Sequence, residues 1–250
     1  MEKKRNIIVG QSGGPTSVIN SSLAGVYKTA KERGFHKVYG MLHGIQGFLD
    51  EQYVDLSTQI HSDMDIELLK RTPSAFLGSC RYKLPEIHEN PDIYDKIFNI
   101  LDKLDIETFI YIGGNDSMDT IKKLSDYAII KGHAQKFLGV PKTIDNDLAL
   151  TDHTPGFGSA AKYIAASTKE VIRDALGLTY HKEMITVIEV MGRNAGWLTG
   201  ATALAKTEEC DGPDLIYLPE LPFDIDKFLK KVQELLKKKG YFAEIYLLQK

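Results

Sequence analysis

The sequence predicts an α/β protein built on parallel sheets, and three observations carry that expectation. Short β-branched runs alternate with longer amphipathic stretches, and glycine-rich turns follow several of the runs and lead into the stretches. The 250 residues, 43% hydrophobic and 26% charged, have the balance of a folded globular chain rather than a disordered one. Parallel strands need crossover helices, so alternation of this kind implies sheets covered on both faces.

Strands are expected at residues 6–9, 37–42, 108–112, 137–140, 185–190, 215–218 and 242–248, where β-branched and aromatic residues cluster. Helices are expected over 17–32, 91–104, 118–129, 159–176, 195–205 and 224–239. The last carries Phe228, Val232, Leu235 and Leu236 on one face and lysines on the other, with Gly240 where a C-terminal cap is wanted. Asn90 before Pro91 is a helix-start signal. Residues 43–90 break the alternation: Gly44 and Gly47 interrupt them, a short helix is expected around 65–70, and the segment is expected to fold over a sheet edge or a site. A boundary between two lobes is expected near Pro141, and two facing lobes would leave a cleft at that junction.

Composition narrows the partners. Basic residues number 31 against 34 acidic ones, a net charge of -3, so nothing global attracts nucleic acid or an anionic membrane and any anion site is local. Cys80 and Cys210 are too few for a disulfide framework and lack CxxC spacing; reduced thiols are expected. The apolar run at 7–9 is shorter than a signal-peptide core and no segment approaches the ~20 apolar residues of a membrane span, so a cytoplasmic protein is expected.

Four strand ends carry the chemistry. The first runs into Gly10-Gln11-Ser12-Gly13-Gly14 and then a helix, where backbone N–H groups can approach an anion that the helix dipole also favours. One such turn is equally consistent with packing alone, but a second, Gly113-Gly114-Asn115-Asp116-Ser117, repeats it at the same edge, where open parallel sheets bind ligands. The third is Pro141-Lys142-Thr143-Ile144-Asp145-Asn146-Asp147. Alone, its paired carboxylates fit a capping turn; beside two amide turns they fit phosphoryl transfer, which needs a proton acceptor, a cation for phosphoryl oxygens and an oxygen ligand for magnesium. The fourth, Met191-Gly192-Arg193, offers an arginine able to grip a phosphate with two parallel bonds, and Pro219-Glu220 follows the next strand.

Together with Phe76-Leu77-Gly78-Ser79 and Gly156-Phe157, these segments occur in the order and rough spacing of the phosphofructokinase family, which the chain resembles over essentially its whole length. The resemblance implies a two-lobed phosphofructokinase fold of Rossmann-like βα units, with residues 1–140 as the phosphoryl-donor lobe and 141–250 as the sugar-phosphate lobe. It implies a glycolytic phosphotransferase that uses Mg2+ and moves a phosphoryl group to the 1-hydroxyl of fructose 6-phosphate, assembled as a homo-oligomer. Asp145, Lys142 and Asp116 are then the catalytic set, and Gly13, Gly14, Arg81, Gly114 and Ser117 bind the donor. Thr143, Ile144, Asp147, Met191, Gly192, Arg193 and Glu220 take the sugar phosphate, and Asn115 with Asp145 holds the metal.

The family divides by donor. ATP-using members resemble GGDGS and PGTIDND at these places, whereas this chain has Asp116 and Lys142 at the differing positions, like the pyrophosphate-dependent branch. A carboxylate about 4 Å from an α-phosphate charge costs roughly 4 kcal/mol at an effective dielectric near 20, about three decades in affinity, and pyrophosphate has no third phosphate to meet it. Pyrophosphate is therefore the expected donor; an ATP-dependent enzyme, a catalytically silent subunit paired with a complete partner, and a kinase for a lipid or dinucleotide are the alternatives, the Met191-Gly192-Arg193 segment weighing against the last.

Three departures from the family pattern stand out. Asn115 replaces a magnesium aspartate, and an amide oxygen is the weaker ligand, so the ion would lean on Asp145, Asp147 and the donor. Met184 replaces an arginine that reaches the sugar phosphate from a neighbouring subunit, with His181 or Lys182 as candidate substitutes. The chain is also expected to be shortened at its C-terminal end, without the GHxQRGG-like segment that helps close the sugar site, leaving sheet surface exposed unless another chain covers it. Elsewhere His43, His153 and His181 show no metal-ligand spacing, Trp197 and Tyr163 are expected in the core, and Lys237, Lys238 and Lys239 are expected to form a solvated helix end.

Overall fold

The computed structural model describes residues 5–178, 183–239 and 242–248, the last as backbone, so Gly240, His181 and Lys182 lie outside the described residues. The chain divides into two compact units, Met1–Thr143 and Ile144–Lys250.

The first unit is a sheet of β1 (Asn6–Gln11), β2 (Lys37–Met41), β3 (Tyr53–Asp55), β4 (Ile106–Gly113) and β5 (Lys136–Pro141) in the order β3-β2-β1-β4-β5. All neighbours are parallel except β3, which runs antiparallel to β2. Pleating explains why β1 and β4 read as continuous apolar runs: Ile8, Phe109 and Tyr111 enter one core with Phe48, Phe98 and Tyr127, while Ile7, Val9, Ile110 and Ile112 enter the other with Ile19, Leu23 and Leu77. Each fully buried side chain of this size contributes about 1.5–3 kcal/mol.

Helix α1 (Ile19–Glu32) buries Ile19, Leu23, Tyr27 and Ala30 as a stripe. It begins two residues later than the periodicity suggests, because Ile19 N–H first closes a turn onto the Thr16 carbonyl at 3.2 Å. The irregular stretch contains α2 (Gly44–Leu49), β3 and α3 (Asp63–Arg71), and it lines the sheet edge through β3. A reciprocal cap starts α3: Ser62 Oγ accepts from Asp65 N–H at 3.2 Å, and Asp65 accepts from the N–H groups of His61 and Ser62, each at 2.9 Å. Helix α4 (Pro91–Lys103) starts at the expected proline, but Asn90 makes no side-chain capping bond there. Helix α5 (Asn115–Lys131) follows β4 directly and ends on Gly132 at φ 72°.

In the second unit β6 (Met184–Val190), β7 (Leu215–Ile216) and β8 (Phe242–Leu248) form a parallel sheet in the order β6-β8-β7. Ile188 and Val190 face α6 (Phe157–Leu176) and α7 (Trp197–Ala201), packing with Phe157, Ala161 and Leu198. On the opposite face Ile185 and Val187 are half exposed. Helix α8 (Ile225–Lys239) buries Val232, and its Phe228 joins Tyr217 and Phe223 in a ring cluster.

Three expectations need correction. Tyr163 and Trp197 are not core residues; they are 71% and 57% exposed. Tyr163 sits across α6 from its buried stripe of Phe157, Ala161, Thr168 and Ile172, and Trp197 meets Phe157 only edge-on at 6.2 Å. Lys239 is not a solvated helix end, because its ammonium pairs with the buried Asp214 carboxylate at 2.6 Å. The expected helix over 195–205 divides into α7 and a 3₁₀ turn, Thr202–Ala205. Cys80 and Cys210 are buried free thiols, and no helix among the described residues is long and apolar enough to cross a membrane.

Candidate functional site

Parallel pairing of β1 with β4, Gln11 opposite Ile112, brings the two glycine turns side by side in the first unit. Ser12 N–H continues the ladder onto the Ile112 carbonyl at 2.9 Å, and Gly13 N–H then turns to the Cys80 carbonyl at 3.0 Å. Gly13 sits at φ 75°, a conformation that strains any residue with a β-carbon. The second turn is the closer of the two to a helix start: Gly114 is the N-cap of α5, whereas α1 begins only at Ile19. The dipole contribution therefore belongs to Gly114, Asn115 and Asp116 more than to Gly13 and Gly14. Ser117 is buried beneath that turn, so close that a β-carbon on Gly113 would lie 1.9 Å from its hydroxyl.

Lys142 follows from the same sheet. β5 lies beside β4, and Lys142 N–H bonds the Gly113 carbonyl at 2.9 Å, so the residue after the strand is registered against the second turn. Its side chain is buried and brings Nζ 3.1 Å from the point a β-carbon on Gly13 would occupy and 4.0 Å from that point on Gly114. Arg81, exposed, brings Nη2 3.7 Å from the corresponding point on Gly14. Amide turns, a buried ammonium and a guanidinium thus converge in one unit, with Asn115 and Asp116 exposed on the first turn of α5. Thr143, half-buried, is the last residue of this unit. Behind the turns the Tyr111 hydroxyl accepts from Ile45 N–H at 3.0 Å and is pushed well above the ordinary phenol range by burial.

In the second unit, half-buried Asp145 and exposed Asp147 flank Asn146, which is itself buried at φ 57°. Asn146 is a residue the motif reading passed over. Its Nδ2 donates to the Asp152 carbonyl at 3.1 Å and its Oδ1 accepts from Thr154 N–H at 2.8 Å, which fixes the turn carrying both carboxylates. An asparagine between two aspartates is the sequence signal, since Asn tolerates the left-handed region and can bond its own loop. Ile144 packs against the Phe157 cluster.

After β6, Met191 and Arg193 are exposed on either side of buried Gly192, which sits at φ 137° and where a β-carbon would lie 2.4 Å from the Ala195 carbonyl oxygen. Glu220 Oε1 accepts from Gly196 N–H at 2.8 Å, tying the Pro219-Glu220 turn to the start of α7 just after Arg193. Among the described residues no group of three or more His, Cys, Asp or Glu side chains is gathered as a metal set.

The Phosphofructokinase family profile matches residues 6–248. Among curated proteins, the chain is 43% identical over 236 residues to a pyrophosphate--fructose 6-phosphate 1-phosphotransferase of Xanthomonas campestris, covering 94% of this chain and 56% of that protein. A protein of the same name from Halomonas elongata is 42% identical over 240 residues, 95% of this chain and 57% of that one. Among solved structures, the pyrophosphate-dependent phosphofructokinase from Nitrosospira multiformis superposes with a TM-score of 0.87 at 40% identity, covering 98% of this chain and 60% of that chain. The chain therefore spans less than two thirds of the length of these relatives. A match running from the first strand to the last, with the same fold beneath it, makes the chain a member of the phosphofructokinase family.

Proposed function

We propose that this chain carries the donor and sugar-phosphate residues of a pyrophosphate-dependent phosphofructokinase, which converts fructose 6-phosphate and pyrophosphate to fructose 1,6-bisphosphate and phosphate. The observation that carries the proposal is the pairing of Lys142 Nζ with the Gly13 and Gly114 turns while Asp116 stands on the first turn of α5. The lysine supplies positive charge to a donor that has no nucleoside to anchor it, and the carboxylate stands against the α-phosphate of ATP. The names of the relatives from Xanthomonas campestris and Halomonas elongata support the same donor.

In this proposal the first unit holds pyrophosphate through Gly13, Gly14, Gly114, Arg81 and Lys142, with Ser117 supporting the second turn from beneath. The second unit takes the sugar phosphate through Met191, Gly192 and Arg193, with Ile144 and Asp147 beside it and Glu220 on a sugar hydroxyl; Thr143, the last residue of the first unit, belongs to the same proposed sugar-phosphate set. Asp145 accepts the 1-hydroxyl proton as O1 bonds the transferred phosphorus. The bridging P–O bond breaks, the leaving phosphate keeps that electron pair, and Lys142 stabilises the charge that collects there. The Asn115 amide oxygen and the Asp145 carboxylate are hard oxygen donors that suit Mg2+, which when bound neutralises phosphoryl charge. A cytoplasmic setting and a homo-oligomer of two or four copies belong to the same proposal. Production of fructose 1,6-bisphosphate by the purified chain, measured with each donor, tests it: turnover with pyrophosphate and little with ATP is expected, and equal turnover with both contradicts it. No turnover with either donor, while both substrates bind, points to the silent subunit instead.

A further inference from the structure

We infer that Gln11 and Asn20, neither of them among the donor-binding residues above, are positioning residues that hold the Arg81 loop against the first glycine turn before any donor arrives. Gln11 ends β1 and is fully buried. Its Nε2 donates to the Ile19 carbonyl at 3.1 Å and to Asn20 Oδ1 at 2.9 Å, and its Oε1 accepts from Leu77 N–H at 2.9 Å. Asn20, equally buried in the first turn of α1, accepts from Phe76 N–H at 2.9 Å and donates to the Thr72 and Ser74 carbonyls, both at 2.9 Å. Both amides use both donor hydrogens and their acceptor oxygen, so the pair is a completed buried network.

All of its bonds to the loop fall between residues 72 and 77, and the loop then runs straight to the turn. Ser79 Oγ donates to the Gly13 carbonyl at 2.5 Å, and the Cys80 carbonyl receives Gly13 N–H at 3.0 Å and Ser12 Oγ at 3.4 Å. Arg81 is the next residue. The loop is held on its far side too, where the buried Lys123 ammonium donates to the Leu84 carbonyl at 3.0 Å and pairs with Glu86 at 2.8 Å. A guanidinium on a long loop would otherwise lose conformational freedom on meeting phosphate; a loop already fixed at both flanks loses less, which is preorganisation expressed as affinity.

This inference rests on the pyrophosphate proposal, and its test separates the two. Amide hydrogen exchange on the ligand-free chain is expected to find Phe76 and Leu77 protected to the level of β1; free exchange at these amides overturns the inference whatever the ligand. Titration with magnesium pyrophosphate is then expected to be weakened about tenfold in Asn20→Ala, with fructose 6-phosphate binding unchanged. A lower melting temperature with both affinities unchanged means a merely structural role and overturns it. If Asn20→Ala does not fold, Ser79→Ala, which removes only a hydroxyl, takes its place, with Ser79→Thr expected to restore affinity; unchanged affinity in Ser79→Ala overturns the inference. A wild-type chain that takes no pyrophosphate fails at the donor proposal, before any variant is made, and takes the inference with it.

Discussion

The ammonium of Lys142 stands 3.1 Å from the point a β-carbon on Gly13 would occupy, so the glycine and the lysine share one small volume at the end of the first sheet. Gly13→Ala would crowd the lysine and add about 1–2 kcal/mol of left-handed backbone strain, relieved only by moving the turn off the Cys80 carbonyl. Pyrophosphate binding is expected to weaken about tenfold or more, read by calorimetric titration. Unchanged affinity would mean that the turn does not meet the donor.

Donor choice is expected to follow Asp116 and Lys142 together. Asp116→Gly with Lys142→Gly should lower turnover with pyrophosphate and tighten ATP binding, by up to about three decades if the full like-charge repulsion is relieved. Titration of each donor against the double variant checks this, and no gain in ATP affinity contradicts the charge argument.

Gly196→Ala should damage the sugar-phosphate side alone. A β-carbon there would stand 2.6 Å from Glu220 Oε2 and 2.9 Å from Pro219 Cδ, displacing Glu220 from the Gly196 N–H. The expected result is a raised KM for fructose 6-phosphate with pyrophosphate affinity unchanged; equal losses on both substrates would point to general destabilisation.

The cap of α3 predicts an acid dependence. The His61 N–H bond, then the Ser62 hydroxyl, hold the Asp65 carboxyl below its ordinary value of 3.8. A lowered folded-state pKa contributes stability that is present above the unfolded value and is lost as pH falls through the folded one. Thermal melts of wild type and Asp65→Asn should therefore differ near neutral pH and converge as the pH falls below 3.8. A gap that stays constant down to strongly acid pH would contradict this origin.

Much of the fold was legible because parallel strands buried on both faces leave long apolar runs: β1 and β4 needed only extension at their ends, and α4 began at its proline. What escaped was short or tertiary. β3, three residues long, exists because it pairs with β2, and α2 starts from a left-handed His43 that no periodicity announces. Tyr163 and Trp197 have the composition of core residues, but the side of the helix they fall on is decided by its partners. In the site, glycines and charges at strand ends were readable as chemistry, and Asn146 is marked by the two aspartates beside it, whereas Gln11 and Asn20 act by bonding backbone far along the chain, and a lone polar residue carries no mark of that.

The most direct test of the account is a titration of the purified chain with magnesium pyrophosphate and, separately, with magnesium ATP. Binding of pyrophosphate at least about a hundredfold tighter than ATP, lost in Lys142→Gly, is the expected result; equal affinity for the two, or pyrophosphate binding indifferent to Lys142, would contradict it.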